Sequence, residues 1–245
     1  MKKLFIVPTM LCIVLGSLFS QEAGFTISTS YNNLLSNRYQ TGMLDRIMIE
    51  AFRRLDIQAR LVFTPTEKSL VDVDAGILDA ELNRIEGMEQ TYPNLVRVPE
   101  PNMTMHFVAF SRQNFEIDGW ESIHGLNIGI VKGWKILENN TGDFPNVVLV
   151  STEKELFNML RKDRLEVALY SKLTGYAVLR DLGYDNEGIR HLEPPLASRD
   201  MFLYVHKDHA GLTEDIAAAI RSMKDDGTYE RIVEEAVSSY MSDNE

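Results

Sequence analysis

Between residues 25 and 82 the chain alternates short apolar runs with helical patterns, and this rhythm leaves few folds open. Residues 25–28 (FTIS) read as a strand. Leu44, Ile47, Met48, Ala51, Phe52 and Leu55 then recur at i, i+3, i+4, i+7, i+8 and i+11, one apolar face at the helical period, with Thr41 placed to cap its start. Residues 61–63 (LVF) form a second strand. Thr66 caps a short helix through Ala75 that Gly76 ends, and residues 78–82 make a third strand with Arg84 just beyond it. Strand, helix, strand, helix, strand implies parallel strands joined by helical crossovers.

The pattern resumes after a strand at residues 95–98, two prolines and a strand at 106–111 (HFVAFS). Residues 120–124 give one helical turn, 127–131 (NIGIV) a strand, and Lys132-Gly133-Trp134 the turn into a helix. Strands at 147–150 and 167–170 follow. Between them Thr152 and Glu155 have the spacing of a capping box, and after them a helix runs from Ser171 to Gly183. Glu193-Pro194-Pro195 breaks the pattern before a strand at 201–206. Two helices, from Thr213 and from Thr228, close the chain. A length of 245 residues with this repeated unit fits one large or two modest α/β domains.

The first twenty residues read as a secretory signal peptide. Met1-Lys2-Lys3 is the positive start, residues 4–19 the apolar run, and Ser20 the small residue before polar sequence. That run is shorter than the ~20 residues a membrane span prefers, and Leu11 before Cys12 argues against a lipid anchor there. Cys12 is the single cysteine, so the exported chain carries no disulfide, thiolate nucleophile or cysteine metal site. The formal charge is −11, and loss of Lys2 and Lys3 makes it two units more negative. With no basic stripe to offset it, such a chain repels phosphate backbones, which excludes nucleic-acid binding.

No phosphate-binding loop, nucleophile elbow or zinc-protease motif is present, and nothing calls for a cofactor or metal. His206 and His209, an H-x-x-H pair beside Lys207 and Asp208, read as surface histidines. Binding features are more informative, because ligands of α/β sheets sit outside the carboxyl ends of the strands. Four places fall there. Tyr31 follows the first strand and offers an aromatic wall. Arg84 could fork a carboxylate or be a solvated loop arginine. Gly133-Trp134 opens a helix whose free N–H groups could hold an anion, with Trp134 either covering a ligand or packing in the core. Tyr170-Ser171 ends another strand. A ligand held between two lobes would touch all four.

Three segments, WESIHGLNIGIVKGW (120–134), EPPLASRDMFLYVHKDH (193–209) and IRSMKDDGTYERIVEEA (220–236), together with GILDAE (76–81), resemble extracytoplasmic solute-binding proteins of the amino-acid-binding, family 3 type. The resemblance covers nearly the whole exported chain. It implies a two-lobe clamshell, each lobe a mostly parallel sheet flanked by helices. Lobe 1 would be residues 24–110 plus 199–245 and lobe 2 residues 111–198, with hinge strands at 106–111 and 201–206. It also implies a monomeric periplasmic protein that is not an enzyme and passes a small-molecule ligand to an ABC-transporter permease or a membrane sensor.

Two departures stand out. The family's carboxylate-gripping Ser/Thr-x-x-Arg would fall near Thr91, where EQTYPN has no arginine, and its amine-binding Asp is replaced by Ser171. Arg84, helped by Lys68 on the preceding helix, is the replacement grip expected for a polar or anionic solute. Two alternatives stay open: a clamshell-fold periplasmic enzyme, dehydratase- or glycan-lyase-like, with Glu81 its one candidate acid or base, and a sensory docking protein with a degenerate pocket.

Overall fold

The computed structural model describes residues 24–241, so the leader and Cys12 lie outside the described residues. Two β-units share one continuous strand. In the first, β1 (Phe25–Thr29) lies between β2 (Ala59–Phe63) and β3 (Ala80–Arg84), all parallel. The crossovers are α1 (Met43–Arg53) and α2 (Thr66–Asp74). In the second, β6 (Ile128–Val131) lies between β7 (Val147–Val150) and β8 (Val167–Ser171), again parallel. Here α3 (Lys135–Asn140) and α4 (Glu153–Arg161) make the crossovers, and α5 (Lys172–Asp181) follows β8.

The long strand β9 (Arg190–His206) joins them. Its first part pairs antiparallel with β5 (Met103–Ser111), which pairs in turn with β8; its last residues pair with β3 and with β4 (Leu95–Arg97). The strands expected as paired hinges therefore fall one in each unit, residues 106–111 in the second and 201–206 in the first. Glu193-Pro194-Pro195 does not break β9. The register jumps from Phe107↔Ala197 to Ala109↔Leu192, and the prolines sit in that bulge, where no ladder N–H is required of them.

Side-chain alternation on β5 sorts two cores. Phe107 and Ala109 face one, while Val108 and Phe110 pack with Leu156, Phe157 and Leu160 of α4 in the other. On α1, Leu44, Ile47, Met48, Ala51 and Phe52 are fully buried, as the helical period predicts. The closing helices α6 (Thr213–Asp225) and α7 (Thr228–Met241) pack onto α1. Arg54 pins them there through Ser222 (2.7 Å), Asp226 (2.8 Å) and Thr228 (3.2 Å).

Helix starts differ from expectation where a backbone donor finds a different acceptor. Gly42, not Thr41, precedes α1, and the Asp45 carboxylate reaches back to its N–H (2.9 Å) and to Asn37 N–H (3.0 Å). Pro65 precedes α2, with Thr66 inside the helix. Thr152 caps α4 through Glu155 N–H (3.2 Å), but Glu155 turns back to Ser151 N–H (3.1 Å) instead of closing the box. The two histidines expected at the surface differ, His209 being one-third exposed. His206 is buried at the end of β9, and His209 bonds Asp79 (2.9 Å) with its ring against Phe25.

Candidate functional site

Tyr31 stands two residues past β1, its N–H bonded to Thr29 Oγ1 (3.2 Å). Its phenol accepts a hydrogen bond from Asn83 Nδ2 (3.0 Å), and Asn83 Oδ1 accepts one from Asn102 Nδ2 (2.9 Å). Asn83 holds a left-handed backbone (φ 64°) inside β3, a conformation that asparagine tolerates better than most residues. Burial pushes the Tyr31 phenol above its ordinary pKa, with the Asn83 bond and the Arg84 charge opposing. The phenol therefore stays neutral and keeps its own hydrogen to donate.

Tyr170 comes from the second β-unit. It is buried near the end of β8, with Trp134 tilted against it (4.8 Å between ring centres) and Trp134 edge-on to Phe107 (5.6 Å). Burial raises the Tyr170 pKa first, and the charge of Glu153 raises it further. The neighbouring Thr174 hydroxyl opposes the rise, although its Oγ1 makes no well-aligned hydrogen bond.

Between these tyrosines lies a cavity of about 830 Å³. One side is built by the loop after β1 (Tyr31, Asn32, Asn33, Asn37, Tyr39), by Arg46 of α1 and by Glu235 of α7. The other is built by Glu153 and Lys154 at the start of α4 and by Tyr170, Thr174 and Asp181. Of this wall the sequence singled out Tyr31, as the aromatic residue following the first strand. Thr174, Glu153 and Asp181 carried no such signal, because helix-borne polar residues usually face solvent.

The other expected site residues are placed differently. Arg84 is the last residue of β3, not beyond it, since the strand runs two residues later than expected. Its guanidinium is spent on Glu81 Oε1 (2.7 Å from Nε) and Ser69 Oγ (3.2 Å). Glu81 is 0% exposed, and burial lifts its carboxyl above the usual range against the opposing charge of Arg84 and the hydroxyls of Ser69 and Ser28. Its second oxygen makes no aligned hydrogen bond. Lys68 lies with its side chain 62% exposed, paired to Asp72 on its own helix. The Gly133 N–H donates to Glu138 Oε1 (2.7 Å), so that turn already holds a carboxylate. Ser171 faces a second, smaller cavity of about 290 Å³ lined by Met43, Met103 and Met105. Thus Tyr31 and Tyr170 meet at the main cavity with Trp134 behind, while Arg84, Lys68, Gly133 and Ser171 do not line it. Among the described residues no group of three or more His, Cys, Asp or Glu could hold a metal ion, and no helix is long and apolar enough to cross a membrane.

No protein-family model matches the chain. A Shewanella oneidensis protein described as uncharacterized is 24% identical over 228 residues, covering 88% of this chain and 83% of that protein. Among solved structures, an ancestral cationic amino acid solute-binding protein superposes with a TM-score of 0.71 at 13% identity, over 87% of this chain and 95% of that one. The second substrate-binding domain of a putative amino acid ABC transporter from Streptococcus pneumoniae gives 0.68 at 12% identity, over 87% and 99%. A histidine kinase sensor domain with similarity to periplasmic binding proteins gives 0.65 at 13%, over 89% and 96%. The chain has the two-lobe periplasmic-binding-protein fold.

Proposed function

We propose that this chain is a periplasmic solute-binding protein, a divergent relative of the amino-acid-binding type. It captures a small polar solute between its two β-units and presents it to an ABC importer or a membrane sensor. One observation carries the reading: Tyr31 and Tyr170, from different units, face a common cavity of about 830 Å³ with polar walls. In this reading lobe 1 comprises residues 24–110 with 199–245, and lobe 2 residues 111–198. The strand register favours a crossing nearer residues 102 and 201, because β5 pairs within the second unit along its whole length. Residues 1–20 act as the cleaved leader, and the exported chain works as a monomer without a cofactor. Closure of one lobe on the other about β5 and β9 traps the solute.

In this reading Tyr31 and Tyr170 form the aromatic wall, with Trp134 packed behind Tyr170. Arg84 braces that wall through its buried pair and does not grip the ligand. Glu81, the one candidate acid for an enzyme, is committed to the same pair, which leaves binding the better-supported activity.

A thermal-shift screen of the purified protein over amino acids, organic acids, sugars, peptides and amines tests this. A ligand present at a hundred times its Kd adds about 2.7 kcal/mol to stability. Stabilisation by one chemical class, lost in Tyr31→Ala and Tyr170→Ala proteins that still fold, is the expected result. No stabilisation by any class contradicts the proposal and favours a docking protein with a degenerate pocket.

A further inference from the structure

The cavity's electrostatics narrow the solute class, on the premise that it is a solute site. Of the cationic groups at and behind its walls, Arg46, Arg84 and Lys135 are already paired within the chain. Arg46 on the wall pairs with Glu235. Arg84, behind Tyr31, pairs with Glu81 (2.7 Å) and Ser69 (3.2 Å). Near Trp134 the Gly133 N–H gives its hydrogen to Glu138 (2.7 Å), which Lys135 also holds (2.6 Å). At the start of α4 the Glu155 N–H is taken by Thr152 Oγ1 (3.2 Å) and the Ser151 N–H by the Glu155 carboxylate (3.1 Å). Of the cations lining the cavity, Lys154 alone has no carboxylate partner among the described residues, and it is exposed.

Negative groups are in surplus. Half-buried Glu153 and exposed Asp181 both line the cavity, and neither has a cationic partner among the described residues. The α5 residues that line it, Thr174, Ala177, Val178 and Asp181, form one side of that helix, with Asp181 in its last turn. A further observation is independent of charge. Thr174 is 4% exposed, lines the same wall, and its Oγ1 makes no aligned hydrogen bond, so a buried hydroxyl stands there able to accept a ligand's hydrogen bond or donate one. Tyr31 and Tyr170 supply aromatic surface, which attracts cations.

We infer that the cavity takes a small cationic solute, an amine or guanidinium compound that needs no carboxylate of its own. Glu153 and Asp181 supply the counter-charge, Thr174 accepts a hydrogen bond, and Tyr31 and Tyr170 pack against the ligand's carbon skeleton. A carboxylate on the ligand would meet Glu153 and Asp181 without a free cation to offset them, apart from exposed Lys154.

Titration calorimetry of the exported chain with four probes of similar length tests the assignment: 1,4-diaminobutane, agmatine, succinate and 1,4-butanediol. Saturable binding of diaminobutane or agmatine is expected, with succinate and butanediol silent. Affinity should fall at least tenfold in Glu153→Gln and in Asp181→Asn, with circular dichroism melts unchanged. Binding of succinate, or amine binding that survives both substitutions, overturns the inference. If amines fail while an acid or neutral compound stabilises the protein in the screen above, the cation assignment falls and the solute-binding reading stands. If no class binds in either assay, both fall.

Discussion

Strand β3 places a glutamate behind Tyr31 and the start of α4 places one on the cavity wall, and they are treated in opposite ways. Glu81 is wholly buried and locked to Arg84 and its surrounding hydroxyls. Glu153 stands half-buried at a helix start with no cationic partner among the described residues. The first is a structural pair that fixes the wall behind Tyr31; the second is a charge left available. What separates them is whether the backbone brings a partner within reach, not residue type or nearness to a strand end.

Breaking the β3 pair should give the largest effect. Arg84→Met leaves the Glu81 carboxylate buried without its cation, and removing one partner of a buried pair costs about 3–5 kcal/mol. Urea denaturation at neutral pH checks this. The double variant Glu81→Leu/Arg84→Met should lose less than Arg84→Met alone, because no charge is then stranded.

The pH dependence of that loss sharpens the contrast. Burial already raises the Glu81 pKa in the folded state, and Arg84 is the largest influence holding it down. Without Arg84 the folded pKa rises further above the unfolded value, so the folded variant binds more protons than the unfolded chain in the window between them. Stability of the variant relative to wild type therefore falls as pH rises through that window. The Arg84→Met loss should be full above the variant's raised pKa and shrink as pH drops to the wild-type Glu81 pKa, which itself lies above the ordinary carboxylate value. A loss independent of pH would mean that the pair acts by packing alone.

Asn83 is the next test. Alanine there loses the bonds to Tyr31 and Asn102 and must also adopt a left-handed backbone, whereas Asn83→Gly loses only the bonds. Alanine should be the worse of the two by about 1 kcal/mol, the difference being the left-handed penalty. Smallest of all, Glu153→Gln should shift stability by no more than about 0.5 kcal/mol, because no internal partner is lost. A large loss of stability there would make Glu153 structural and erase the distinction from Glu81.

The same comparison explains what was legible in the sequence. The βαβ units followed from apolar periodicity, since α1 buries Leu44, Ile47, Met48, Ala51 and Phe52 as spaced. β9 was cut short in the reading because Glu193-Pro194-Pro195 looks like a break, and the bulge that accommodates it depends on pairing with β5. Tyr31, Trp134 and Tyr170 were singled out because strand ends are predictable positions; Tyr31 and Tyr170 line the cavity and Trp134 packs against Tyr170. The fate of Arg84 was not. In a regular strand, residues 81 and 84 point to opposite faces. The left-handed Asn83 between them, at a register shift against β9, brings Arg84 onto the Glu81 side. One positive φ turned an apparent ligand grip into a buried ion pair, and a one-dimensional pattern does not carry that sign. The burial of His206 and the bond of His209 to Asp79 were missed for a related reason: their neighbours are distant in sequence.

The central claim is that a solute sits between Tyr31 and Tyr170 and joins the two units. Hydrogen exchange measured with and without the best-stabilising compound tests it directly. The account predicts that residues 30–42 and residues 170–181 gain protection together, one segment from each unit. Protection confined to one of these segments, or appearing only elsewhere, would contradict it.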